Sequence, residues 1–334
     1  MRICVIGAGS MGGMYGGRLA EAGHDVLLVD TWVEHVRAIN DAGLRLDGVG
    51  GDRRIPVKAA TPAEAQGTFE AAIIFVDANS TAAAAGTAKR LVGAEGFAIS
   101  LQNGIGNVEA LVAALGEARV VGGLSYHSAE LKGPGHVSHT HRGNTWIGEL
   151  DGRRSERLAR LEAALNSADL VAECVDDITA VIWTKFVLNC AINPLCAITG
   201  LRQGDIPRTP ELDLYQDRII DEALAVVAAK GLKLADPDIR AAIKKQSFLK
   251  YNKPSMLQHI EKGRRTEIDA LNGALAREGR ALGVPTPFNE AIALLIKGLE
   301  KRRLQEAAGT AIDYAALEAE AKREYEAHGL PARR

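Results

Sequence analysis

Lys185, Asn189 and Asn193 recur at every fourth position of Ile178–Thr199, a stretch in which Lys185 is the single charge. That spacing stacks the three side chains on one face of a helix. A buried lysine is costly unless it is paired or put to use. Further polar candidates follow in Tyr-Asn-Lys-Pro-Ser-Met-Leu-Gln and Gly-Arg-Arg-Thr-Glu-Ile-Asp, which carry Asn252, Ser255 and Glu267. By spacing alone, Glu267 reads as a solvated acid at a helix start and Ser255 as an N-cap behind Pro254.

A second chemistry, phosphate binding, is written near the N-terminus in Gly7-Ala8-Gly9-Ser10-Met11-Gly12. The motif follows an apolar run at 3–6, opens an alanine-rich helical stretch ending near Gly23, and precedes a second apolar run at 25–30. G-x-G-x-x-G inside such a strand–turn–helix–strand unit is a dinucleotide fingerprint. Gly7 permits the tight turn, Gly9 admits a pyrophosphate to the backbone, and Gly12 lets helix and strand pack closely. The helix start adds unpaired N–H groups and a positive dipole end. Asp30 closes the second strand, where an acid accepts ribose hydroxyls.

Buried strands are also expected at 71–76 and 97–101, with a helix at 82–91 between them. Asn103 and residues 76–79 then lie beyond the carboxyl ends of strands, where ligands of doubly wound sheets bind. Past Val121 the period becomes two. Gly133-Pro134-Gly135 reads as a turn, and 136–148 as antiparallel strands with His139 and His141 on one face. No carboxylate or cysteine joins His136, His139 and His141 at ligand spacing, so no metal site is expected. After Asp176 strand signals vanish, and amphipathic helices are expected through 212–230, 237–249 and 269–282. The expected architecture is an α/β dinucleotide-binding domain at 1–175 and an all-α domain at 176–334.

Composition narrows the class. Forty basic against 42 acidic residues leave a net charge of −2, without the basic excess a nucleic-acid binder needs. Aromatics at 4% are too few for base-stacking platforms. The four cysteines, Cys4, Cys174, Cys190 and Cys196, show no CxxC spacing, which suits a reducing cytoplasm. The run at 178–199 is long enough for a membrane span, but Asn189, Asn193 and Pro194 make it a buried helix.

These motifs resemble the ketopantoate reductase (2-dehydropantoate 2-reductase) family from end to end. The resemblance rests on Gly7 to Gly12, Leu101-Gln102-Asn103-Gly104-Ile105-Gly106, and Trp183-Thr184-Lys185 with Asn189 and Asn193. It continues in Pro254-Ser255-Met256-Leu257-Gln258 and in Thr266-Glu267-Ile268-Asp269 with Asn272-Gly273. It implies a Rossmann-like domain joined to a helical one, and reduction of a 2-oxo acid by NAD(P)H in the cleft between them, as in pantothenate biosynthesis. It also implies a homodimer. Under it Lys185 is the general acid, and Glu267 grips a substrate hydroxyl. Asn189, Asn193, Asn252 and Ser255 bind the substrate's polar groups, and Asn103 bridges coenzyme ribose and substrate.

Three departures qualify the resemblance. Members using NADPH commonly carry an arginine after the second strand and a lysine after the third; here the sequence reads Asp30-Thr31-Trp32 and Val76-Asp77-Ala78. NAD(H) is therefore expected over NADP(H). His259 stands where the family more often has an acid. An NAD-dependent D-2-hydroxyacid dehydrogenase acting on another bulky acid is the alternative enzyme. A redox sensor binding dinucleotide without turnover is the alternative of another class, though a sensor has no use for a proton donor at Lys185.

Overall fold

A strand covered on both faces has no need of alternation, and β1 (Arg2–Ile6) shows why its sequence is continuously apolar. Ile3 and Val5 enter the core on one side of the sheet, Cys4 and Ile6 the core on the other. The computed structural model describes residues 1–309 and 313–330. From β1 the chain runs through α1 (Ser10–Glu21), β2 (Asp25–Val29), α2 (Val33–Ala42), β3 (Leu44–Gly48), β4 (Arg53–Ile55), β5 (Lys58–Ala60) and β6 (Phe69–Ile74). It continues through α3 (Thr81–Leu91), β7 (Val92–Ser100), α4 (Asn107–Leu115), β8 (Val120–Ser125) and β9 (Ser128–Gly133). Then come β10 (His136–His141), β11 (Thr145–Glu149), α5 (Glu156–Ser167) and β12 (Ala172–Cys174).

Eight strands form one sheet in the order β12-β11-β8-β7-β6-β1-β2-β5. It is parallel from β5 to β8, and β11 pairs antiparallel with β8. The chain leaves β1 toward β2 and later returns to β6 on its other side. This reversal opens a crevice beyond the carboxyl ends of β1 and β6, the usual ligand position in such sheets.

The remaining strands make a second sheet, β4-β3-β10-β9, against α1. The region expected as one antiparallel set therefore splits. β10 pairs antiparallel with β9 but parallel with β3, while β11 joins the large sheet. A shift in register between His139 and His141 also breaks their alternation, leaving His139 buried and His141 exposed.

His139 instead belongs to a buried chain of hydrogen bonds. Arg18, which can only donate, reaches His139 Nδ1 at 3.2 Å, so His139 carries its proton on Nε2. That nitrogen lies 3.1 Å from His127 Nδ1, and His127 Nε2 donates to the Leu170 carbonyl at 3.0 Å. Burial and then Arg18 push His139 down to about 4, and burial lowers His127 as well. Each imidazole titrates near pH 6.5 when unfolded, so below that pH the unfolded chain binds protons that the fold refuses. Stability is expected to fall as pH drops from about 6.5 toward 4, by up to about 1.4 kcal/mol per pH unit through His139, with His127 acting in the same direction. Urea midpoints across this range should fall less steeply for His139→Gln; an unchanged slope would refute the assignment.

No strand follows Cys174 among the described residues. The rest of the described chain is helical: α6 (Ile178–Thr199), α7 (Pro210–Ala229), α8 (Ile239–Leu249), α9 (Ser255–Glu261), α10 (Asn272–Leu282), α11 (Pro287–Ala307) and α12 (Tyr314–His328). Asp177 caps α6 by accepting from the Ala180 N–H at 2.8 Å. Among the described residues α6 is the one helix long and apolar enough to cross a membrane, and 67% of its apolar window is buried inside the fold. Helices α7, α9 and α11 pack around it.

Candidate active site

The turn after β1 is shaped by what it leaves out. Gly7 has φ +91°, and a Cβ there would lie 2.6 Å from the Val76 nitrogen. A Cβ on Gly12 would lie 1.9 Å from the Gly7 oxygen, so α1 can start this close only without one. At Gly9 a Cβ would meet nothing within 4 Å. Gly9 also caps α1 without a side-chain acceptor, leaving the first N–H groups of the helix for another partner. Open backbone before a helix N-terminus fits a pyrophosphate. Ser10 and Met11 form the first helical residues there, half-buried, while Ala8 is fully buried.

Ala8 discloses a residue that spacing did not single out. Its carbonyl accepts from His35 Nε2 at 2.9 Å, and His35 Nδ1 accepts from the Gly135 N–H at 3.0 Å. Fully buried in α2, His35 ties the glycine turn to the β9–β10 turn. Its only signal in the sequence was a histidine on the helix's apolar face. His35→Leu should weaken NADH binding by about fivefold, the loss of roughly 1 kcal/mol for a hydrogen bond. Fluorescence titration checks this, and a dissociation constant within twofold of the wild type would reject it. Asp30 directly follows β2, and its Oδ1 accepts from the Trp32 N–H at 2.9 Å.

Across the crevice, Gln102 Nε2 donates to the Val76 carbonyl at 2.6 Å and to Thr81 Oγ1 at 2.9 Å, joining the loops that follow β6 and β7. Asn103 comes next. Gly104 has φ +88°, and a Cβ on it would lie 2.4 Å from the Ala270 oxygen, which also accepts from the Ile105 N–H at 3.1 Å. The turn bearing Asn103 thus rests on the turn bearing Glu267.

Lys185 faces this joint from α6. Its ammonium donates to the Ser125 carbonyl at the end of β8 and lies 4.5 Å from the Tyr126 ring centroid. Loss of hydration brings its pKa down to about 8, against the opposing pull of Glu267. Asn189 and Asn193 are buried on the same helix, and Asn189 Nδ2 is a buried donor with no hydrogen-bond partner among the described residues.

Two readings from spacing are corrected. Glu267 is not solvated: its side chain is 16% exposed and stands 3.3 Å from His259 Nδ1, through Oε2. The short 3-10 turn Ile268–Ala270, pinned under Gly104 and Ile105, draws the acid inward. Burial pushes its carboxyl up, but His259, its own backbone N–H and Lys185 together outweigh burial and hold it below the usual carboxylate range. Ser255 is not the N-cap. The Pro254 carbonyl already accepts from the Gln258 N–H at 3.2 Å, so α9 starts one residue earlier and Ser255 makes no capping bond. Asn252 is the outlying candidate, exposed, with its Oδ1 accepting from Gln203 Nε2 at 2.7 Å. Gln203 was also not foreseen.

An open glycine turn at a parallel sheet's switch point, joined to a helical domain that carries a lysine of lowered pKa, defines a two-domain dinucleotide-dependent oxidoreductase. The sequence model described as ketopantoate reductase PanE/ApbA matches residues 3–152, and its C-terminal counterpart matches 177–300. The chain belongs to the ketopantoate reductase family, NAD(P)-dependent oxidoreductases acting on CH–OH groups. It is 34% identical to the 2-dehydropantoate 2-reductase of Archaeoglobus fulgidus, over 90% of this chain and 98% of that protein. Among solved structures it is similar to a PanE/ApbA family ketopantoate reductase from Ralstonia eutropha. That match has 34% identity and a TM-score of 0.84, over 91% of this chain and 100% of the other. It is also similar to a D-mandelate dehydrogenase solved with NADH and anilino(oxo)acetate, at 27% identity and a TM-score of 0.84, over 91% and 99%.

Proposed function

We propose that this protein reduces ketopantoate to pantoate with Lys185 as general acid. The observation that carries the reading is the Lys185 ammonium, held by the Ser125 carbonyl and brought to a pKa of about 8 beside Glu267. Gly7 to Gly12, Asp30 and Asn103 would hold the dinucleotide, whose nicotinamide supplies a hydride when bound. Lys185 meets the negative charge that develops on the keto oxygen and then gives that oxygen its proton. A pKa near 8 leaves it charged at neutral pH yet able to release the proton. Asn189 Nδ2, with Asn193, Asn252 and Ser255, binds the substrate carboxylate and polar groups, and the Glu267 carboxylate accepts from a substrate hydroxyl. Asp30 and the missing cations at Thr31 and Asp77 favour NADH. The reading carries with it a cytoplasmic homodimer, and the four free, buried cysteines are in keeping with a reducing compartment.

A second reading, a D-2-hydroxyacid dehydrogenase for another bulky acid, is supported by Asp30 together with the likeness to D-mandelate dehydrogenase. Assays of ketopantoate and of phenyl-substituted 2-oxo acids with both coenzymes separate the two. Ketopantoate with NADH should give the highest kcat/KM. Glu267→Ala should raise KM for ketopantoate and leave a hydroxyl-free 2-oxo acid unaffected. A hydroxyl-free acid preferred by the wild type would favour the second reading.

A further inference from the structure

Glu267 has one oxygen whose environment is unusual. Oε2 is buried and makes no regular hydrogen bond among the described residues. Its charged neighbour is His259 Nδ1 at 3.3 Å, an ion contact off the hydrogen-bond axis. His259 projects from the last turn of α9, and its side chain is 27% exposed against 16% for Glu267. We infer that His259 is a positioning residue that holds Glu267 by Oε2 as an ionised carboxylate and keeps Oε1 for the substrate's hydroxyl. The inference rests on the proposed reaction for the role of Oε1, but the ion pair itself does not depend on it.

The charges around the pair determine how it responds to pH. Burial would strip His259 of its proton, but Glu267 and then Asp77, from the loop after β6, outweigh both burial and Arg264 and raise its pKa above the ordinary value. Lys185, from α6, acts on Glu267 from its own side. With His259 charged, two cations act on the carboxylate and neither takes it entirely. Once His259 loses its proton, Lys185 is the remaining cation, and the carboxylate is drawn toward the ammonium and away from a hydroxyl. The affinity for a hydroxylated 2-oxo acid should therefore fall as pH rises through the titration of His259. An acid at position 259 would set a carboxylate against Glu267 and could not act this way.

Kinetics and NMR on the full-length, NADH-saturated protein test this together. His259→Asn should raise KM for ketopantoate by about tenfold below the His259 midpoint, the scale of a charge-assisted contact, and change kcat far less. The wild-type rise of KM with pH should vanish in this variant. His259→Lys, a cation throughout the range, should keep KM low without the rise. In histidine-labelled protein, Glu267→Gln should move the His259 midpoint down, a readout that needs no turnover. A KM for His259→Asn within twofold of the wild type, or an unmoved midpoint in Glu267→Gln, would overturn the proposal. A coupled midpoint in protein that reduces no 2-oxo acid would support the pair and overturn the proposed reaction instead.

Discussion

Lys185→Ala is expected to lower kcat for 2-oxo acid reduction by about 100- to 10,000-fold, the usual scale of general acid catalysis. Under the proposed mechanism the effect has two sources. The variant loses the group that donates the proton, and it loses the charge that meets the developing oxyanion, beside the Tyr126 ring. Coenzyme affinity should change little, because the lysine stands on α6 and the glycine turn lies between β1 and α1. The pH profile carries an independent signature. Only the protonated amine is competent for reduction, so wild-type kcat should decline as pH rises through about 8. Lys185→Ala should lose that limb along with its rate. Steady-state NADH oxidation with ketopantoate measures both, and a variant keeping more than about a tenth of wild-type turnover would remove Lys185 from the mechanism.

The second large effect concerns coenzyme choice, with NADH expected over NADPH by about tenfold or more. Asp30 follows β2 at the position where an acid meets the adenosine ribose. One of its oxygens is occupied by the Trp32 N–H, so Oδ2 is the acceptor left for a hydroxyl. The same carboxylate would repel a 2′-phosphate by a few kcal/mol at partly solvated contact, and each 1.4 kcal/mol is about tenfold. No lysine or arginine stands at Thr31 or Asp77 to offset this. Asp30→Ala combined with Thr31→Arg should shift preference toward NADPH, because it removes the repulsion and adds a forked donor. A higher kcat/KM of the wild type with NADPH would show that Asp30 does not face the ribose.

The nucleotide turn was legible because its requirements are local. A left-handed φ at Gly7 and the absence of a Cβ at Gly12 are demands made within a dozen residues, and the residue types announce them. The face shared by Lys185, Asn189 and Asn193 was legible for a similar reason, since helical periodicity places every fourth residue without reference to any other element. The departure at His259 was visible in the sequence too, but its meaning was not. That depends on Glu267, eight residues on, being drawn inward by a turn under Gly104 rather than left at a helix start.

The alternation of β1, α1, β2, β6, α3 and β7, the continuously apolar strands and the motif residues were thus set by the sequence alone, because each follows from neighbouring residues and a fixed period. Tertiary structure decided the pairing of β10 with β3 and the burial of His139 behind Arg18. It also decided the hold of His35 on Ala8 and the meeting of Lys185, Glu267 and His259. These depend on contacts between segments far apart in the chain, and no local period encodes which distant strand a strand will choose or which buried charge a loop will bring to it.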